Sequence, residues 1–187
     1  MQYRKFGNTG IEISTLGYGC MRLPENAKEG YTVDDSLAIP MLQRAYELGV
    51  NYFDSAYYYL KGNSEIALGR AVKGFRDKVY LSTKIPVGEV KEPSDYRRFL
   101  ESSLKKMDTD YIDFYHFWSL NRESYDNNVK KMGLLEEALK AKEEGLIRHI
   151  SFSFHGNPDD VKYIIDDAGI MESVLLQYNL LDRSYGD

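Results

Sequence analysis

Six apolar runs of strand length, at 16–20, 51–56, 79–84, 111–118, 149–154 and 174–178, are each separated from the next by a stretch that contains a helical pattern. Parallel neighbours need a crossover of about a dozen residues, so strands separated every time by a helix imply a parallel sheet. The helices are predicted near 64–73, at Ser94–Met107, and near 133–144 and 158–167, with Gly145 ending the third of these. A further helix precedes them. It carries Leu37, Met41, Ala45 and Leu48 on one stripe, a Thr32-x-x-Asp35 capping pattern ahead and Gly49 behind. Pro40 predicts a late start or a kink in it. Before the first βα unit, residues 3–6 and 11–14 flank Gly7-Asn8-Thr9-Gly10, the tip of a β-hairpin expected to cap one end of the sheet.

Two architectures accept this cadence, an open doubly wound sheet and a closed (β/α)₈ barrel. A nucleotide-binding doubly wound sheet would place G-x-G-x-x-G directly after its first strand. Here that strand runs into Gly17-Tyr-Gly19-Cys20-Met-Arg-Leu-Pro24, with no third glycine. In a barrel, functional groups gather at the C-terminal ends of several strands. Asp54, Lys84, His116, Ser153 with His155, and Gln177 with Asn179 hold those positions on successive strands. The expected fold class is therefore α/β, a parallel (β/α) TIM-type barrel with an N-terminal hairpin cap. It is incomplete, with six of eight strands in one domain spanning 1–187.

Charge and cysteine narrow the function classes. The 24 Lys+Arg against 29 Asp+Glu give a net charge of −5, which argues against nucleic acid as a partner. The single cysteine, Cys20, cannot alone make a disulfide, a zinc site or an iron–sulfur cluster, and fits a reducing compartment. No run approaches the roughly 20 apolar residues of a membrane span, and the N-terminus opens no signal peptide, so no membrane partner and a cytoplasmic location are expected. The 16 tyrosines suggest half-buried aromatic surfaces.

The motifs resemble the aldo-keto reductases across nearly the whole chain. Phe6-Gly-Asn-Thr-Gly-Ile-Glu-Ile-Ser-Thr-Leu-Gly-Tyr-Gly19 is similar to the family's hairpin and first strand, and Gly49-Val-Asn-Tyr-Phe-Asp54-Ser-Ala56 to its second. The pattern D-[TS]-A-x-x-Y is met by Asp54 through Tyr59. Val79-Tyr-Leu-Ser-Thr-Lys84, Asp110-Tyr-Ile-Asp-Phe-Tyr115, Gly145-Leu-Ile-Arg-His-Ile150 and Gln177-Tyr-Asn-Leu-Leu-Asp182 resemble the third to sixth strands or their approaches. Gly19-Cys-Met-Arg-Leu-Pro24 and Ser151-Phe-Ser-Phe-His155 resemble a bacterial branch whose members often carry a C-terminal iron–sulfur domain.

The resemblance implies hydride transfer from NADPH or NADH to a small aldehyde or ketone, with no metal or cluster in this chain. It assigns Tyr59 as proton donor, Lys84 and Asp54 as the groups that tune it, and His116 as the nearest histidine to orient the carbonyl. Ser153, Gln177 and Asn179 would contact the cofactor, and Trp118 and Tyr58 would line the substrate pocket. A free tyrosine titrates near pH 10, so a nearby cation is expected to favour its phenolate. Each residue also has a plainer reading: Asp54 as a turn cap, Lys84 as a surface anchor, and Tyr59 as one aromatic among Tyr57 and Tyr58. By the same standard Ser153 and Gln177 are loop hydrogen-bonders, Trp118 is pocket wall and Cys20 is packing. His149 is expected on the outer side of its strand.

Two departures stand out. The family's fourth-strand histidine position holds Trp118, with His116 two residues earlier on the same face, about 6.5–7 Å away along the strand. Phe154 and Leu175 replace polar residues that relatives use on the nicotinamide. A full barrel takes typically about 250 residues, so two strands are lacking. Unpaired edges then imply a homo-oligomer or a missing C-terminal segment. Three readings stay open: a reductase weakened by truncation, a silent relative serving as an oligomerising or regulatory module, and a barrel enzyme using Lys84 as a Schiff base.

Overall fold

The structure, a computed structural model, describes residues 1–26, 30 and 32–181. The chain opens with β1 (Tyr3–Lys5) and β2 (Glu12–Ser14), followed by β3 (Tyr18–Gly19), β4 (Glu25–Asn26) and β5 (Thr32–Val33). From there strands and helices alternate: α1 (Asp35–Glu47), β6 (Tyr52–Asp54), α2 (Asn63–Val72), β7 (Tyr80–Ile85), α3 (Ser94–Met107) and β8 (Ile112–Leu120). A short α4 (Arg122–Ser124) leads through a wide π-type turn to α5 (Leu134–Glu143), then β9 (Ile147–Phe154), α6 (Pro158–Ala168) and β10 (Ser173–Leu176). The main sheet has the order β10-β9-β8-β7-β6-β3, parallel at every pairing. It curls into six strands of a barrel, with β3 and β10 as open edges.

Alternation along each strand decides what faces where. Phe53, Leu81, Ile85, Tyr115, Phe117, Ile150 and Phe152 are buried in the core that also takes Leu42, Leu68, Leu100, Ala138 and Ile164 from the helices. The other face carries Asp54, Ser82, Lys84, His116, Ser151 and Ser153, brought side by side by the registers Asp54↔Ser82, Lys84↔His116 and His116↔Ser151. The β1–β2 hairpin closes the N-terminal end of that concave face, as expected of a cap. Phe6 packs on Tyr52 and Phe114, and the Asn51 side chain accepts from the Ser14 amide at 2.7 Å while donating to the Glu12 carbonyl at 3.1 Å. The C-terminal end is left open.

Several expectations are corrected. The α1 cap is Asp34, whose carboxylate accepts from the Ser36 amide, while Thr32 lies in β5. The helix runs unbroken through Pro40, which sits at an exposed position. Its buried stripe is Ala38, Leu42 and Ala45; of the expected stripe only Ala45 is buried, and Leu37 and Leu48 are 55% and 56% exposed. Leu48 and Met41 instead line an apolar groove with Met1, Leu16, Tyr18 and Val50 beside the unpaired β3. The first strand shrinks to Tyr18–Gly19 and the sixth to Ser173–Leu176. The fourth extends to Leu120 through a bulge in which Ser119 takes a positive φ of 54°. His149 lies on the concave face rather than outside, stacked on Phe114 at 4.7 Å with Nδ1 2.8 Å from Glu172. That carboxylate also accepts from Lys142 and the Ile150 amide, which gives the ring a fixed partner at the sheet's floor. Asp182, the end of the sixth-strand motif, lies outside the described residues.

Candidate active site

Asp54 ends β6 opposite Ser82 of β7, and Lys84 stands one same-face position farther along β7 on the concave face. Lys84 is 1% exposed. Its Nζ donates to Asp54 Oδ2 at 2.6 Å and to the Ser55 carbonyl at 2.5 Å. Ser82, two residues earlier on the same face, donates its hydroxyl to the other Asp54 oxygen at 2.6 Å. Burial lowers the Lys84 pKa, and Asp54 opposes that by charge and hydrogen bond. A buried ammonium with a carboxylate and a carbonyl around it is the paired arrangement that low-dielectric surroundings require.

The three adjacent tyrosines separate. Tyr57 turns toward α3, with its ring edge-on to Phe99 at 4.9 Å and its hydroxyl 3.3 Å from Ser102. Tyr58 is exposed at the rim and donates to Glu89, an interaction that pushes its phenol up to about 12. Tyr59 begins a tight turn, Tyr59–Gly62, whose Leu60 and Lys61 take left-handed φ, and its ring lies with its centroid 4.9 Å from Lys84 Nζ. Burial, then the Asp54 charge, raise the Tyr59 phenol to about 12. With its phenol raised, Tyr59 holds its proton at neutral pH.

Trp118, in the position opposite Tyr59, meets that ring edge-on at 5.7 Å and Tyr58 at 6.3 Å. The three rings form an aromatic wall at the open end. His116 stands one layer deeper beside Lys84, fully enclosed. Neither ring nitrogen makes a hydrogen bond, and the adjacent Phe152 backbone does not reach bonding geometry. Burial lowers its pKa to about 4, with Asp54 raising and Lys84 lowering it in smaller measure. Ser153 is buried and its hydroxyl accepts from the Ser119 amide at 2.8 Å, fixing the bulge that carries Trp118. Gln177 and Asn179 lie exposed beyond β10, where Asn179 accepts from the Leu181 amide. Asp54, Tyr59, Lys84, His116, Trp118 and Tyr58 thus cluster, while Gln177 and Asn179 stand at the sheet's far edge.

The groups that fix Asp54 and Lys84, namely Ser82 and the Ser55 carbonyl, lie inside the second- and third-strand motifs, which by themselves give them no role. The period-two spacing of Ser82 and Lys84 is what places Ser82 on the same face. The segment after β3 contributes Cys20, whose amide donates to the Asp54 carbonyl at 2.8 Å and whose carbonyl accepts from Ser64 at 2.8 Å. Among the described residues, no group of three or more His, Cys, Asp or Glu side chains is placed to hold a metal ion, and no helix is long and apolar enough to cross a membrane.

The neutral His116 gives a testable pH dependence. Its folded pKa lies below its ordinary 6.5, so the unfolded chain binds more protons between those values and stability falls as pH drops from about 6.5 toward about 4. The loss attributable to this ring is on the order of 3 kcal/mol at the acid end. Urea unfolding across this range should show a steeper acid loss in the parent than in His116→Leu; equal slopes would show that the ring is not held neutral.

Comparison with known proteins agrees with this geometry. Residues 15–185 match the model of the Aldo/keto reductase family. The Bacillus subtilis (strain 168) protein named Uncharacterized oxidoreductase YqkF is 30% identical over 192 residues, covering 98% of this chain and 58% of its own. The L-galactose dehydrogenase of Arabidopsis thaliana is 30% identical over 175 residues, covering 89% of this chain and 52% of its own. The solved structure of the thermostable aldo-keto reductase Tm1743 with epalrestat superposes with a TM-score of 0.82 at 28% identity, covering 98% of this chain and 65% of that one. The chain therefore spans about half the length of the curated relatives it matches. With the hairpin-capped parallel barrel strands and the Asp54–Lys84 pair beside Tyr59, these matches establish that the chain belongs to the aldo/keto reductase family.

Proposed function

We propose that this site serves an oxidoreductase that reduces a small aldehyde or ketone to the alcohol with NADPH or NADH, and that the 187-residue chain alone does so weakly. The observation that carries the reading is the Lys84–Asp54 pair, buried at the open end of the sheet beneath the one tyrosine of three that faces it. Bound nicotinamide would supply the hydride. Tyr59 would supply the proton from Oη to the carbonyl oxygen, and Lys84, kept charged by Asp54, would stabilise the phenolate left behind. Tyr59 is half-buried, so solvent can restore its proton. Trp118 and Tyr58 would wall the carbonyl's substituents. The carbonyl oxygen needs hydrogen-bond donors, which the Tyr59 hydroxyl and the Trp118 indole N–H could supply, whereas His116 lies a layer deeper.

The residues present fit the reactive end of such a cofactor only in part. The polar groups Ser153, Gln177 and Asn179 stand at neighbouring strand ends, since Ser153 pairs with Leu175 in β10. Ser153 is already engaged by the Ser119 amide, and Phe154 and Leu175 offer no hydrogen bonds. Loss of positioning can cost several orders of magnitude in rate, which motivates the weak turnover. Titration with NADPH, read by quenching of Trp118 fluorescence, should show weak saturable binding that competes with NADP⁺. No saturable quenching would favour the silent relative, and tight binding with rapid turnover of a simple aldehyde would refute the weakness.

A further inference from the structure

The turn that carries Tyr59 is strained. Leu60 and Lys61, neither of them glycine, take positive φ values of 52° and 58°, and Gly62 follows at 85°. Consecutive left-handed residues persist only where their surroundings over-determine them. The Asn63 side chain bonds the Leu60 carbonyl at 3.0 Å from within the turn. Other restraints come from outside it: Lys61 Nζ donates to the Gly30 carbonyl at 3.2 Å, and the Tyr57 amide to the Lys84 carbonyl at 3.4 Å. Lys106, one residue from the end of α3, reaches across and donates to the Tyr57 carbonyl at 3.3 Å, with its ammonium 3.5 Å from the Tyr57 ring centroid.

Lys106 is itself fixed by a carboxylate that no solvent reaches. Glu65, in the first turn of α2 and 0% exposed, accepts from Lys106 Nζ at 3.0 Å on one oxygen and from the Thr83 hydroxyl at 2.6 Å on the other. Thr83 is the residue immediately before Lys84, its side chain on the opposite face of β7. A continuous path of bonded groups thus runs from the strand that bears Lys84, through Thr83, Glu65 and Lys106, to the backbone two residues before Tyr59. An ion pair buried behind the sheet is costly to build, and a core of the same shape would hold with apolar residues. Its two ends attach to the two segments whose spacing sets the Tyr59–Lys84 distance.

We propose that Glu65 and Lys106 are positioning residues that clamp the strained Tyr57–Gly62 segment so that the Tyr59 phenol stays over Lys84. The inference rests on the reading of Tyr59 as proton donor for its functional meaning, but its test reads position rather than turnover. A 3-fluorotyrosine at position 59, whose phenol titrates lower than tyrosine's, reports its surroundings by ¹⁹F resonance within an accessible pH range. The groups facing it are Asp54 from β6, Lys84 from β7, Cys20 from the segment after β3 and the uncharged Trp118 from β8.

In the full 187-residue chain the probe is expected to titrate above the free amino acid. Lys106→Met should move it down toward the free value by about one unit as the ring leaves its enclosure. Because that variant strands the Glu65 carboxylate, the neutral pair Glu65→Gln/Lys106→Met is measured beside it and should show the same shift. Lys106→Arg, which restores the cation, should return the parent titration. An unchanged probe in the folded neutral pair, or failure of that pair to fold, would make Glu65 and Lys106 supports of the fold alone and overturn the proposal. A Tyr59→Phe chain that still transferred hydride at the parent rate would instead remove the proton-donor reading and leave the clamp standing.

Discussion

Asp113→Ala is expected to destabilise the chain by about 3–5 kcal/mol, the range for breaking a buried ion pair by removing one partner. Asp113 is 1% exposed on the helix-facing side of β8. One of its oxygens accepts from Arg76 Nη2 at 2.8 Å and from the Leu81 amide at 3.0 Å, and Arg148 Nε lies 3.8 Å from the other. Arg76 in turn ties the Val79 and Tyr111 carbonyls and the Thr109 hydroxyl, so the entries to β7 and β8 are gathered on one guanidinium. Removing the carboxylate leaves a buried amide without an acceptor and a guanidinium without its counter-charge. Asp113→Asn keeps an acceptor and should cost less. Urea unfolding of both variants checks this. A loss below about 1 kcal/mol for alanine would mean that water replaces the carboxylate and that the entry to the sheet is not pinned there.

The cadence of the strands and the residues at their C-terminal ends were legible because they depend on composition at period two and on the length of each crossover. Asp54, Lys84 and His116 follow from that alone. The inward face of His149 follows from period two with Ser151 and Ser153, against the expected outer side; its partner Glu172, which only the folded chain brings to the ring, was not legible. In α1 two neighbouring stripes are apolar. Which one is buried is decided by packing, not by periodicity: Ala38, Leu42 and Ala45 enter the common core. The parting of Tyr57, Tyr58 and Tyr59 depends on left-handed Leu60 and Lys61, residue types that announce no such turn. Glu65 and Lys106 read in sequence as ordinary helix polar residues, because the partner that buries Glu65 lies on a strand 18 residues away.

A large functional effect is expected from Lys84→Met. It keeps the length and apolar stem of the side chain and removes the ammonium proposed to stabilise the phenolate. Asp54 retains the Ser82 hydroxyl as partner and is only partly buried, so the fold should survive, as circular dichroism would show. Positioned acid–base catalysis contributes typically 10²–10⁴-fold, and the variant should lose a factor of about that size. Tyr59→Phe, which removes the proton itself, should fall at least as far.

Turnover by the 187-residue chain is expected to be slow, so the decisive measurement is isotopic. The chain is incubated with NADPH carrying deuterium at the transferable position of C4 and with an aromatic aldehyde, and the alcohol is examined by mass spectrometry. Singly deuterated alcohol should accumulate above the protein-free control, and should drop by about two orders of magnitude or more with Lys84→Met or Tyr59→Phe. No deuterium in the alcohol from the parent chain, or equal labelling from parent and variants, would contradict the assignment of Asp54, Tyr59 and Lys84 as the chemical centre.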